Sequence, residues 1–216
     1  MSENKKLSDS LPKLGRRRLI KGAVGAAPLL ITLASRPAWG GNICWSGIQS
    51  GNVSGQRNEE CVGGRTPGYY KVNVLPHGGD PGWPTYDPLQ GISIDHGCNQ
   101  VHTNGTIKKP CKTLFSDPNA TDVPGTKLGE LFYSAPSNLR DYTLMQILHQ
   151  YEPTFAFHAV ATYFNALNFT DFIFRPDQAL AIINDIFAMG YHTDSRGTIW
   201  TEEQMKDMFD SSNNAR

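Results

Sequence analysis

PTFAFHAVATYFNALNF, residues 153–169, is the stretch that decides the architecture. It holds no Asp, Glu, Lys or Arg, and it is apolar nearly all round at helical spacing. Phe155, Ala159, Thr162 and Ala166 line one side, and Phe157, Ala161 and Phe164 another. A helix with no face suited to water is covered by the rest of its domain. The spacing predicts a central helix over 153–169, with Pro153 at its first position, where the missing N–H removes no helical bond.

On either side the chain keeps helical period. Ser137-Asn138-Leu139-Arg140-Asp141 supplies capping residues for a preceding helix, with Leu144, Ile147 and Leu148 on one face as far as Gln150. A third helix is expected from Pro176 to about Met189. Ala179, Leu180, Ile183, Ile186 and Phe187 should face inward, and Gly190 should end it. Thr201-Glu202-Glu203-Gln204 is a capping box opening a fourth helix through Phe209, with residues 211–216 frayed.

Residues 42–135 read differently. They are rich in Gly, Pro, Asn and Asp, with apolar residues scattered singly or in pairs and no helical period. One strand is predicted over Tyr69–Leu75 behind a Pro-Gly turn, and a shorter one within Gly91–Asp95. Trp83 and Tyr86 are available to pin the turns between them to a core. The fold class expected is mainly α: a small core of about four helices under an irregular, turn-rich, disulfide-linked N-terminal layer with at most short strands. Residues 41–216 then form one mature domain, the layer over 41–135 and the helical part over 136–210.

The charge balance separates residues 1–40 from that domain. The chain has 20 Lys and Arg against 20 Asp and Glu, yet residues 1–40 carry a net charge of +6 and residues 41–216 one of −6. Arg16-Arg17-x-Leu19-Ile20-Lys21 resembles the twin-arginine export motif. Behind it runs an uncharged stretch, Gly22–Ser35, too short for the roughly 20 residues a bilayer needs. Arg36 and the small residues around Ala38-Trp39-Gly40 then suit cleavage after Gly40. The expectation is a twin-arginine signal peptide over 1–40, the twin-arginine translocase as partner during export, and a periplasmic or extracellular mature protein that does not span the membrane. That acidic body argues against a nucleic-acid partner.

All four cysteines, Cys44, Cys61, Cys98 and Cys111, follow the leader. An even number in an exported chain favours two disulfides among three possible pairings. Cys44–Cys61 and Cys98–Cys111 are the pairs expected, because each closes a short loop in the turn-rich half. The competing use is metal. His96 and His102 flank Cys98, with Cys111 nine residues beyond His102, a donor set suited to zinc or copper. The paired CxxC spacing of strong zinc sites is absent.

Cys61-Val62-Gly63-Gly64-Arg65-Thr66-Pro67-Gly68-Tyr69-Tyr70-Lys71, then Gly82-Trp83-Pro84, and far downstream His158-Ala159-Val160-Ala161-Thr162-Tyr163-Phe164-Asn165-Ala166 form a combination of motifs. It resembles a module of secreted bacterial proteins with a TPGYWKNHP-like segment, a Trp-Pro and an HAVAALLNA-like helix. The resemblance covers roughly residues 58–210 and implies an exported or surface location, without an activity. Tyr70 stands where the module has Trp, and Val72-Asn73-Val74 replaces its Asn-His-Pro.

Several residues are candidates for chemistry. His158, Thr162, Asn165 and Phe169 share one stripe of the central helix. With Tyr70 and Trp83 they could reach a ligand, or they could form a satisfied core network that fixes neighbouring loops. Tyr69, Tyr86 and Trp200 extend the possible aromatic surface. From His192 to Glu203 the chain matches a calcium-loop layout at several places, Asp194 and Glu203 among them, although His192 and Arg196 occupy ligand positions poorly. Neither a GxSxG elbow, an HExxH helix nor a glycine-rich phosphate loop is present. The functional expectation is an exported, non-enzymatic binding or assembly protein. The alternative is a metal-binding protein or enzyme whose site uses His158 with His96 or His102. No cofactor is identified by the sequence.

Overall fold

The structure is a computed structural model that describes residues 63–213, all within one compact unit, Gly41–Arg216. Its elements in chain order are α1 (Pro67–Tyr70), β1 (Tyr86–Asp87), β2 (Ile92–Ser93), α2 (Lys109–Ser116), α3 (Leu128–Leu131) and α4 (Leu144–Gln150). α5 (Phe155–Asn168), α6 (Pro176–Met189), β3 (Tyr191–Thr193), β4 (Ile199–Thr201) and α7 (Glu202–Asn213) complete them. The fold is mainly helical, and its two sheets are antiparallel two-stranded ribbons, β1–β2 and β3–β4.

The four helices expected after residue 136 are α4 to α7, with the ends of α4, α5 and α7 shifted. α5 is the central one. Every residue from Phe155 to Ala166 is buried, and α5 packs against α1, α4, α6 and α7. Aromatic rings form the contacts. Phe155 lies 5.5 Å from Phe209 of α7 and 5.4 Å from Phe187 of α6, and Phe164 takes Trp83 at 4.7 Å and Tyr70 at 5.3 Å. Such pairs add roughly 0.5–1.5 kcal/mol each beyond the area they bury.

Pro153 does not begin the helix. Thr154 is the N-cap, its Oγ1 accepting from Phe157 N–H, because a hydroxyl satisfies a free helical donor and a proline cannot. α4 likewise starts later than Ser137. Thr143 and Gln146 form its capping box, and the capping-type residues upstream are used in turns. α6 has the predicted ends, with Gly190 at φ 78°, a left-handed conformation suited to glycine. Ala179, Ile183 and Ile186 are buried as expected. Leu180 and Phe187 are half-buried, while Ile182 and Asn184 take the remaining inward places. α7 opens at the Thr201–Gln204 box but continues to Asn213, so residues 211–213 are helical, with Ser212 and Asn213 buried.

In the N-terminal layer three expectations are corrected. The strand predicted over Tyr69–Leu75 is replaced by α1, whose Thr66 hydroxyl accepts from Tyr69 N–H while Pro67 occupies the first turn. This N-cap overrides the β preference of the two tyrosines. Further along, the layer is not free of helix. α2 buries Cys111 and Phe115, and α3 buries Leu128 and Leu131. Tyr86 is exposed rather than an anchor, whereas Trp83 is 3% exposed and its indole N–H donates to Tyr70 O at 2.8 Å. Bridges Asn73–Thr106 and Val101–Ile107 hold the turns together.

Cys98 and Cys111 form a disulfide, joining the turn after β2 to α2. Among the described residues no helix is long and apolar enough to cross a membrane.

Candidate functional site

One polar cluster runs through the apolar interior, where α1, α5 and α7 meet. Asn165 is fully buried at its centre. Its Oδ1 accepts from Arg65 N–H at 2.7 Å and from the Tyr70 hydroxyl at 2.8 Å. Its Nδ2 donates to Arg65 O and to Asn213 Oδ1, both at 2.8 Å. The amide therefore closes on the backbone of Arg65 from both sides, as a neighbouring strand would. Asn213 continues the chain of bonds, exchanging contacts with the Thr162 hydroxyl and donating to His158 O. One turn on, Asn168 Nδ2 donates to Gly82 O at 2.9 Å and approaches the Tyr70 hydroxyl at 3.3 Å.

Gly64 is what lets the segment approach this closely. A Cβ there would lie 2.1 Å from Asn165 Cγ, so any side chain pushes the segment off the helix. Gly64 N–H also donates to Ser212 O at 2.8 Å, tying the same segment to α7. Burial pushes the Tyr70 phenol well above its usual range, keeping it a neutral donor.

His158 belongs to the same stripe but faces the outer part of α7. Its side chain is 7% exposed, and its Nδ1 has no hydrogen-bond partner, with Asp210 Oδ1 3.6 Å away. Burial lowers its pKa, against the opposing pull of Asp210. The imidazole is thus neutral at pH 7.

A second buried polar group sits on the opposite side of α5. Asp87 is fully buried; its Oδ1 accepts from Leu89 N–H and Gln90 N–H, and its Oδ2 from Gln90 Nε2 at 2.8 Å and the Tyr163 hydroxyl at 2.6 Å. Gln90 Nε2 also reaches Leu131 O. Burial first, then the Asp87 carboxylate, raise the Tyr163 pKa, so the phenol stays protonated and donates. Four neutral donors satisfy one carboxylate, and the β1–β2 ribbon is thereby fastened to the central helix.

A third group is nearer the surface. His149 of α4 has Nε2 3.2 Å from Lys71 O and Nδ1 3.1 Å from the Ser116 hydroxyl. Burial, reinforced by Lys71, lowers its pKa to about 4. The neutral ring must donate Nε2–H to a carbonyl that can only accept, so Ser116 donates to Nδ1. A hydroxyl directed at an imidazole is the arrangement that activates a nucleophile. Here the hydroxyl stands at the C-terminal end of α2, where helix carbonyls oppose a developing oxyanion.

The metal and calcium candidates are dispersed. Both thiols of Cys98 and Cys111 are spent on the disulfide. His96 accepts the Cys98 N–H at Nδ1 and packs edge-on to Trp83, while His102 is exposed in a turn. His158 stands beside Asp210 of α7. Asp194 closes the β3–β4 hairpin, accepting at Oδ1 from the Arg196 and Thr198 N–H groups and at Oδ2 from Trp200 Nε1. Burial alone would raise its pKa, but these donors outweigh it and hold the carboxylate below its usual range. Glu203 is exposed and pairs with Lys206 at 2.8 Å. Among the described residues no three His, Cys, Asp or Glu side chains are grouped to hold a metal ion.

No family model, curated protein or solved structure matches the chain. The geometry therefore stands alone. It brings together Asn165, Tyr70, Trp83 and, at the edge, His158 from the sequence candidates. It leaves Tyr86 and Trp200 apart in separate ribbons. The motif residues Arg16, Arg17, Leu19, Ile20 and Lys21, and the Cys44–Cys61 pair, lie outside the described residues. Sequence reasoning missed Asn213 and the Asp87–Tyr163 pair. Asn213 was hidden by a polar C-terminal run that reads as fraying. Asp87 sits in a Tyr-Asp-Pro turn that gives no sign of burial.

Proposed function

We propose that this is a protein exported by the twin-arginine route whose mature part is a non-enzymatic binding or assembly module of the cell envelope. The observation that carries this reading is the use made of the polar side chains. Asn165, Asn168, Tyr70, Asn213, Asp87 and Tyr163 each spend their hydrogen bonds inside the molecule, on the backbone of the N-terminal layer or on each other. They act as ties that give a turn-rich layer one fixed shape, which a presenting surface needs and which chemistry at these atoms would disturb. The Arg16–Lys21 motif, the Cys98–Cys111 disulfide and the resemblance to a secreted module support the exported setting.

The second reading, a metal or catalytic site at the central helix, draws support from one atom. His158 Nδ1 is buried without a hydrogen-bond partner beside Asp210. Metal analysis of protein recovered from the periplasm separates the two. The module reading predicts less than stoichiometric metal, and one bound ion per chain, lost in His158→Gln, overturns it. Replacing Arg16 and Arg17 together by lysine should leave the protein in the cytoplasm. Undiminished export of that variant refutes the route.

A further inference from the structure

The acidic body carries its positive charge unevenly. Of the basic residues in the described chain, Lys108, Lys109 and Lys112 fall within five positions at the start of α2, all exposed. None has a carboxylate partner among the ion pairs of the described residues, whereas Arg65, Lys71, Arg175 and Lys206 each have one. Lys109, Lys112, Thr113 and Ser116 recur at i, i+3, i+4 and i+7, so they share one outward face of α2 opposite the buried Cys111 and Phe115.

Two depressions flank that helix. One is lined by Lys112, Thr113, Ser116 and Asp117: a cation, the Thr113 hydroxyl, the Ser116 hydroxyl already given to His149, and a carboxylate. The other, of about 440 Å³, is bordered by Pro110, Leu114, Pro124 and the Cys98–Cys111 disulfide. Leu114 is 36% exposed there. The acids at the two rims are partly committed. Asp95 accepts the Gly97 N–H and Asp117 the Asn119 N–H. The three exposed lysines with the Thr113 hydroxyl are complementary to the phosphates of an anionic lipid surface, while the Leu114 depression lies on another side of the helix.

We propose that the exposed face of α2 docks on an anionic phospholipid surface, holding the mature protein at the membrane periphery. This rests on the envelope reading above and names its partner. The docking proposed is peripheral, through side chains on the outer face of α2. The net charge of −6 opposes the approach as a whole, so binding depends on the local lysine cluster and on low ionic strength. At an anionic bilayer each lysine contributes about a fivefold partition factor, so three give roughly a hundredfold preference over neutral lipid.

The test is co-sedimentation of protein recovered from the periplasm with vesicles of phosphatidylcholine alone or with about one-third phosphatidylglycerol. Wild type should prefer the anionic vesicles by about a hundredfold at low salt, a preference that falls steeply with added sodium chloride. Lys108→Gln/Lys109→Gln/Lys112→Gln should lose it. Leu114→Ser, on another side of α2, should leave both the binding and its salt slope intact. These residues are exposed, and an unchanged circular dichroism spectrum certifies each variant. Equal binding to both vesicles, or a triple variant that binds as wild type, overturns the proposal. So does preferential capture by heparin, or competition by millimolar glycerol phosphate, which would mark a soluble polyanion or a free phosphate as the ligand. Failure here with normal Arg16/Arg17-dependent export leaves the envelope reading standing.

Discussion

Replacing Asn165 by Ala removes the centre of the buried network, and the consequence can be worked from its partners. The substitution strands the Tyr70 hydroxyl in a fully buried place and the half-buried Arg65 N–H and C=O beside it, while Asn213 retains Thr162. A buried polar group left without a partner costs about 1–3 kcal/mol. Non-additivity and entry of a water molecule reduce the sum for three groups to about 3–5 kcal/mol. That is a large share of the 5–15 kcal/mol typical of a domain. Urea unfolding followed by tryptophan fluorescence and far-ultraviolet circular dichroism measures it, with the midpoint falling at an unchanged slope. Tyr70→Phe strands only one acceptor lone pair and should cost about 1 kcal/mol. Asn165→Leu keeps the branched outline with bulkier methyl groups and should be at least as damaging as Asn165→Ala, because the hydrogen bonds are lost in both and the close approach of Gly64 leaves no room for added bulk. An Asn165→Ala protein within about 1 kcal/mol of wild type, or an Asn165→Leu protein more stable than wild type, refutes the reasoning.

Gly64→Ala should destabilise by about 1–3 kcal/mol through its collision with Asn165, and pairing it with Asn165→Ala should recover part of that loss in a double-mutant cycle. Serine at both Cys98 and Cys111 should cost about 3 kcal/mol, the value expected for a loop closed across a separation of 13 residues, read as a lower unfolding midpoint. Acid should weaken the fold through its histidines. With a folded pKa near 4 against about 6.5 unfolded, His149 binds its proton first in the unfolded chain, so stability falls as pH drops from about 7 towards 4. The ceiling is about 3 kcal/mol, and partial exposure reduces it to about 1–2 kcal/mol. His158, shifted the same way, adds to the slope. His149→Gln should flatten the profile measured by urea midpoints between pH 7 and 4, and an unchanged slope contradicts the assignment.

The helical half was legible because two local signals agreed there. The apolar run over Phe155–Ala166 could be only a buried helix, and Pro176 with Gly190 marked the ends of α6 by their backbone chemistry. The layer was misread where a short N-cap competed with residue preference. Thr66-Pro67 starts a helix, yet Tyr69, Tyr70, Val72 and Val74 have the composition of a strand. In α2 the buried pair Cys111 and Phe115 sits at helical spacing, but a pair is too small a pattern to stand out among three lysines. The stripe of His158, Thr162 and Asn165 was visible as a polar line on an apolar helix. Its partners were not, since Arg65 contributes backbone atoms and Asn213 comes from a polar tail. Periodicity locates an unusual residue on its own element and says nothing about which distant chain satisfies it.

The buried polar residues of α5 tie the Gly64–Tyr70 segment onto the helical core. Native-state amide hydrogen exchange at Arg65, whose N–H is given to Asn165, tests this most directly. The Arg65 amide should exchange as slowly as the amides of α5, by the same global opening, and Asn165→Ala should accelerate it selectively. An Arg65 amide exchanging at the rate of an exposed turn, while α5 stays protected, would contradict it.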